Sequence, residues 1–406
     1  MAMQKYSKYK DSGVKWLGEI PSHWETLPGF AIFKENKEKN SDLRINTVLS
    51  LSYGKIIQKK DLNEGLVPAE YNTYQIVRPG NIIIRCTDLQ NDKTSLRTGF
   101  VKNEGIITGA YLGLIVNKKY NSSYIHYFLH AWDITKEIYR YGSGLRQSLS
   151  WVDLKRLPIL IPSYDEQNAI VSYLDSVTSK IDEAIAQQQK MIDLLNERKQ
   201  IIINDAVTKG LDPKAKMKDS EIDWIGQIPE HWEVRSFKML MSIQRGHDLT
   251  AEKFKSGDVP VYGSGGLMGF HNAKTSKAPS IVIGRSGSVG KLQYIEKDFW
   301  AHNTVIYMTE NKGNDIKYLF YLLKSVDLSA LATQTAVPTL DRKNVLSYKI
   351  PCCLDIKEQQ KISKYLDERL SEIDEVISSE RKKISLLQER KQIIINDVVT
   401  GKVKVA

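Results

Sequence analysis

Apolar side chains return at alternating steps of four and three along two long stretches of the chain. In the later stretch the stripe is Leu366, Leu370, Ile373, Ile377, Glu380, Ile384, Leu387, Lys391, Ile394 and Val398. Shifted back by 192 positions it becomes Leu174, Thr178, Ile181, Ile185, Gln188, Ile192, Leu195, Lys199, Ile202 and Ala206. A stripe this long and regular predicts the seam of a coiled coil. Packing of each helix on its own domain alone is the alternative. Polar residues interrupt both seams at the same places, Gln188 with Glu380 and Lys199 with Lys391. Such residues cost stability and fix register. Gly210 and Gly401 stand where a helix C-terminal stop belongs. Ser163 or Asp165, and Asp355, are the expected N-caps, with acidic residues in the first turn.

The segments between, 25–160 and 233–352, carry shorter periods. Strand-like runs at 81–85, 113–116, 280–284 and 304–308 alternate with Gly and Asn turns. Helices are expected near Tyr124–Tyr139 and Ile316–Ser325. Each segment closes on an apolar run ending in Ile161-Pro162 or Ile350-Pro351, where proline is expected to break the strand.

The pattern occurs twice. DSGVKWLGEIPSHW at 11–24 matches DSEIDWIGQIPEHW at 219–232, and ERKQIIIND at 197–205 recurs unchanged at 389–397. The offset falls from 208 at the Trp16/Trp224 pair to 192 at the Glu166/Glu358 pair, so the first middle is longer by 16 residues. Repeated ends with divergent middles describe a fixed frame that carries two different surfaces. The first helix must lead from the first globular region to the second. A second helix packed along it must run back, which predicts an antiparallel pair with a pseudo-two-fold axis. At 1.5 Å per residue a helix of roughly 40 residues is about 60 Å long. The expected fold is α+β: two mixed α/β domains, 1–162 and 211–353, and two long helices, 163–210 and 354–406, forming an antiparallel coiled coil.

Composition narrows the partner. Among 406 residues the formal net charge is +10, which favours an acidic partner, with nucleic acid first and an anionic membrane surface second. The N-terminal segment has no apolar stretch, so no signal peptide is expected. Nor is there a run of roughly eighteen apolar residues. Cys86, Cys352 and Cys353 fit no metal or redox spacing, which predicts reduced thiols in a cytoplasmic protein.

Catalytic signatures are missing. GRSGSVGKL at 284–292 has the wrong spacing for a phosphate-binding loop. No Asp-Pro-Pro-aromatic segment, with which adenine methyltransferases hold the target amine, is present. His126 and His130 are spaced for chelation, but no third ligand follows and aromatic residues surround them, so a packing role is expected.

The loops, in contrast, have the chemistry of DNA readers. They mix Arg, Lys, Asn and Gln, which can bind base edges, with Ser, Thr and Gly, which suit phosphate oxygens and close backbone approach. The candidates in the first half are Arg85, Thr87, Lys93, Arg97, Ser143, Arg146 and Gln147. In the second half they are Arg245, Tyr262, Ser264, Arg285, Ser286, Ser288, Lys291, His302, Asn303 and Thr335. An ordinary surface turn is the alternative for any one of them.

With WLGEIPSHW and WIGQIPEHW opening the repeats, SLSWVDLKRLPILIPSYDEQ (148–167) and TLDRKNVLSYKIPCCLDIKEQ (339–359) preceding the helices, and the paired ERKQIIIND ends, the chain resembles the specificity subunit of type I restriction-modification enzymes. The resemblance spans essentially the whole chain. It implies a non-catalytic DNA reader with two target-recognition domains, each reading one half of an asymmetric site, and helices that set the gap. It implies no cofactor in this chain, two copies of a modification subunit that carries S-adenosylmethionine, and restriction subunits that use ATP and Mg. Two copies of one partner call for two copies of one surface. This makes Glu197, Arg198, Gln200 and Asn204, with Glu389, Arg390, Gln392 and Asn396, the expected docking residues. Two other readings stay open: a coiled-coil interaction adaptor, and a specificity subunit whose partner fuses methyltransferase and nuclease.

Overall fold

The computed structural model describes residues 4–59, 71–92, 94–144 and 147–405. The fold is α+β, and contacts divide the chain into two compact units, Met1–Gln188 with Lys382–Ala406 and Gln189–Arg381. The four segments expected from sequence treat the long helices as separate pieces. Each compact unit takes in one part of each long helix.

In the first unit, β1 (Phe33–Glu35), β2 (Ile82–Ile84), β3 (Thr98–Phe100) and β4 (Leu112–Val116) form a sheet in the order β1-β4-β2-β3, antiparallel throughout. Helix α1 (Ser122–Ile134) follows, its first turn capped by the Asn121 side chain, which accepts from the amides of Ser123 and Tyr124. The second unit repeats the order: β5 (Ser242–Arg245), β6 (Ser280–Gly284), β7 (Leu292–Ile295) and β8 (Val305–Glu310) pair as β5-β8-β6-β7. Its short helix, α3 (Ile316–Lys324), is capped by Asp315. The additions differ. The first unit has a hairpin of Leu49–Ser52 with Lys55–Gln58, and the second a three-stranded sheet around Val259–Gly263.

The long helices are α2 (Tyr164–Lys209), of 46 residues, and α4 (Ile356–Val399), of 44. Ser163 caps α2, its hydroxyl accepting from the Glu166 amide, and Asp355 caps α4 through the Lys357 amide. Asp165, the alternative cap, lies inside the first turn, where its charge favours the helix dipole. Pro351 does not end its strand. It sits within Lys349–Cys352, in a two-stranded pair with Glu233–Ser236, where an open edge tolerates a residue without an N–H.

All twenty seam positions are buried or half-buried. In the first unit Lys391 reaches Asp182, with both oxygens at 2.7 Å. In the second, Lys199 reaches Asp374 at 2.5 Å. Each pair is the repeat equivalent of the other. Within each unit the helices run antiparallel. Glu166 at the start of α2 and Gly401 just past α4 both approach Trp24, while Glu358 at the start of α4 and Gly210 just past α2 both approach Trp232. Gly401 has φ +75°, and a Cβ there would lie 2.3 Å from Pro21. No side chain fits, so glycine is required.

Each unit is fastened to its helix start in the same way. Trp24 and Trp232 are fully buried, and their indole N–H groups donate to Glu166 and Glu358, each at 3.1 Å. His23 and His231 lie on the second oxygens at 3.1 and 2.9 Å. Tyr6 adds a donor in the first unit, and the Cys353 thiol does so in the second. One residue on, the buried Gln167 and Gln359 accept from the backbone of the short-helix caps, Asn121 and Asp315.

The three cysteines are free and buried, and burial pushes each thiol up to about 12. Among the described residues no helix is long and apolar enough to cross a membrane. His126 and His130 stack at 5.9 Å, with Thr98 hydroxyl 3.2 Å from His130 Nδ1. Among the described residues no group of three or more His, Cys, Asp or Glu could hold a metal ion.

Burial, with the like charges of Lys102, Lys391 and the histidine pair adding to it, pushes His126 down to about 3 and His130 down to about 4. Burial also pushes the Asp133 carboxyl up to about 6. The unfolded chain therefore binds two imidazole protons before the folded one does, whereas folded Asp133 takes its proton first. Two groups outweigh one. The first unit loses stability as pH falls below the ordinary histidine value, by about 1.4 kcal/mol per pH unit between roughly 6 and 4. Thermal melting across this window should show the loss, and His126→Leu should flatten it.

Candidate nucleic-acid interface

Two candidate loops of the first unit meet. The Leu149 amide donates to the Cys86 carbonyl at 2.9 Å, and the Leu89 amide to the Gln147 carbonyl at 3.2 Å. Thr87 and Ser143 are exposed on this joined surface, and the half-buried Arg85 side chain pairs with Asp92. Lys93 and Arg146 lie outside the described residues. Two candidates face inward. The Arg97 side chain is fully buried and spends its guanidinium on the carbonyls of its own loop. It cannot reach a base edge, so its reader role is corrected. Gln147 (φ +47°) turns its amide to the carbonyls of Tyr139 and Tyr141, and that amide is no longer free to bracket an adenine.

The candidates of the second unit are stitched together by backbone. The His302 amide donates to the Tyr262 carbonyl at 3.0 Å, and His247 bridges to His302. The Arg285 amide donates to the Thr304 carbonyl at 2.8 Å, and the Leu340 amide to the Arg285 carbonyl at 2.9 Å. Ser286 bridges to Thr339, which brings the 333–339 loop and its exposed Thr335 beside the 284–291 loop. Lys291 Nζ donates to the Gly265 carbonyl at 2.6 Å, so it braces the Ser264 turn from outside. Arg245 is exposed, 3.9 Å from Asp248, and Asn303 also bonds Asp248. Ser288 is exposed at the loop tip. Gly284 permits the fold-back, since a Cβ there would sit 1.9 Å from the Ser288 carbonyl.

Thr304 is at the centre of this patch. Its hydroxyl accepts from the Ser264 amide at 3.3 Å and lies 3.0 Å from His302 Nδ1. It stands just past the His302-Asn303 pair that composition marks. Gln293, which donates to the Gly263 carbonyl at 3.0 Å, was also missed. Only proximity of Thr304 to His302 and Asn303 could have signalled it, because its partners are distant in the chain.

Each unit thus brings candidate loops together beside a sheet whose strand order is common to both, with exposed Thr87 and Ser143 beside Arg85 in the first and a fuller set of basic, amide and hydroxyl side chains in the second. Residues 29–192 and 229–387 match the family described as the type I restriction modification DNA specificity domain. The chain belongs to this family. The MjaVIII type I restriction enzyme specificity subunit of Methanocaldococcus jannaschii is 26% identical over 434 aligned residues, covering 98% of this chain and 97% of that one. The putative MjaX specificity subunit of the same organism is 26% identical over 433, covering 98% of each. A solved chain from a study of complex assembly and conformational transition in the type I R-M system shares the fold. Its TM-score is 0.69 at 12% identity, over 94% of this chain and 98% of that one. The two specificity domains therefore carry sequence recognition of DNA, and their patches hold the side chains suited to it.

Thr304→Val keeps the shape and removes the hydroxyl of the second specificity domain. The Ser264 amide loses its acceptor at a cost of about 1 kcal/mol, so its hydrogen exchange should quicken about fivefold. Unchanged exchange would remove Thr304 from the centre of the patch.

Proposed function

We propose that this chain is the non-catalytic reader of a type I restriction-modification assembly and that each specificity domain reads one half of an asymmetric, bipartite DNA site. The observation that carries the reading is the pairing of a common sheet order with dissimilar loop patches. One frame with two unlike readers suits a target whose halves differ. Two readers in major grooves on one face of a duplex stand about 34–36 Å apart, which makes the long helices the ruler for the gap. Modification subunits carrying S-adenosylmethionine flip and methylate adenine. Restriction subunits supply ATP- and Mg-dependent translocation and cleavage. This chain needs no cofactor of its own.

The docking sites for two modification subunits lie on the repeated helix ends. Glu197, Arg198, Glu389, Arg390 and Gln392 are exposed there, while Asn204 and Asn396 are half-buried. Gln200 is turned to its own unit, donating to the Lys324 carbonyl at 3.0 Å. Exposed apolar residues add to the charged ones. Leu194 (51% exposed) and Ile201 (53%) on α2 correspond by the 192-residue repeat to Leu386 (55%) and Ile393 (50%) on α4. Apolar side chains left in water at equivalent places in a repeat suit two copies of one partner.

Exchanging residues 25–160 for the matching domain of a relative should alter the bases of one half of the site only. A genome-wide map of methylated adenines reads this, and a change in both halves would overturn the modular reading. Combining Leu194→Glu with Ile201→Glu should weaken one of the two modification subunits by about 2 kcal/mol, or about 30-fold. Native mass spectrometry would then find one bound copy where there were two.

A further inference from the structure

We infer that Arg97 is a positioning residue for DNA recognition by the first specificity domain, an interior anchor that sets how the 85–92 segment presents its side chains. The inference rests on the reading above, that this segment contacts DNA.

Arginine has five N–H donors in a planar fork. All five of Arg97 are used, and four of the five acceptors are main-chain carbonyls of one loop. Nη1 donates to Arg85 at 3.3 Å and to Thr87 at 2.8 Å, and Nη2 donates to Asp88 at 3.1 Å and to Asp92. Nε donates to the Tyr139 hydroxyl at 3.3 Å, and that hydroxyl donates on to the Asp92 carbonyl at 3.1 Å. The guanidinium also lies over the Tyr139 ring, 5.4 Å from its centre. The Arg97 amide donates to the buried Asp133 carboxylate, which fastens the anchor to α1.

Of the side chains between these carbonyls, Cys86 and Leu89 turn into the core and the polar ones turn outward. Thr87, Gln90 and Asn91 are exposed, and Asp88 takes the left-handed conformation (φ +62°) that the winding requires. A charge sealed from water is held only while its donors are satisfied, so the guanidinium and the loop shape depend on each other. The second unit also joins its loops by backbone bonds, but among the described residues it has no fully buried arginine, and the Thr304 hydroxyl takes the central place. Loss of the Arg97 anchor therefore acts on one half of the site.

The test uses the full chain, with Arg97→Lys and Tyr139→Phe, by two readouts: hydrogen exchange of the purified protein, and maps of methylated adenine from cells in which it assembles with its modification subunits. Lysine has three donors and no fork, so Arg97→Lys should speed exchange of the 87–92 amides about tenfold or more. Strands β1 and β4 should stay protected. The methylation motif should relax in one half, with the other half unchanged. Tyr139→Phe, which removes one acceptor and one donor but keeps the guanidinium, should give the same pattern more weakly. If Arg97→Lys unprotects the whole first unit, Tyr139→Phe decides by the same readouts. Unchanged exchange and motif in both variants would overturn the anchor. Faster exchange with an intact motif would leave the anchor standing and overturn the reading of this loop as a DNA contact, and the positioning role with it. Relaxation of both halves together would also overturn the proposal.

Discussion

A carboxylate in the first turn of each long helix holds the frame together. Glu166 and Glu358 each take the indole N–H of a fully buried tryptophan, the ring of the preceding histidine and one further donor. An indole N–H sealed from water without an acceptor is costly, and a carboxylate at a helix N-terminus is favoured by the dipole. The two requirements are met by one contact, so the angle at which the chain enters its helix is set by chemistry rather than by loop length. This explains why His-Trp closes both repeat openings and why a Glu-Gln pair starts both helices. The glutamine beside each carboxylate extends the grip to the short helix through its cap.

The frame was legible because its signals are local. A seam in steps of three and four needs no knowledge of the partner helix, and all twenty positions are shielded. The polar interruptions were legible as positions but not as pairs. That Lys199 answers Asp374 and Lys391 answers Asp182 depends on antiparallel register, which periodicity alone does not give. The strands fell within a residue or two of expectation, since apolar runs bounded by turn residues leave little choice.

The interface was legible only as composition. Arg97 and Arg85 share one loop and read alike in sequence. Yet one is sealed inside and the other half-exposed, because the loop closes around the arginine with carbonyls to satisfy. Gln147 was misread for a related reason: its amide meets carbonyls from the turn before it. Thr304 was missed because it joins three segments far apart in the chain. Both units join their loops by backbone bonds, and the first adds a buried fork of donors where the second adds the Thr304 hydroxyl and the Lys291 ammonium. Loop exchange within the first must carry its anchor along, and within the second must keep the Thr304, Lys291 and Gln293 side chains that brace its turn.

The cysteines have a use that their chemistry does not suggest. Cys86 lies in the core at the 85–92 loop of one unit, and the Cys352–Cys353 pair borders the helix start of the other. With their thiols pushed up to about 12, they stay protonated and shielded near neutral pH. An alkylating reagent meets them only when the surrounding structure opens. The chain thus carries a built-in clock in each half, and the separate labelling rates of Cys86 and of the vicinal pair would time the breathing of the two lobes without any added probe.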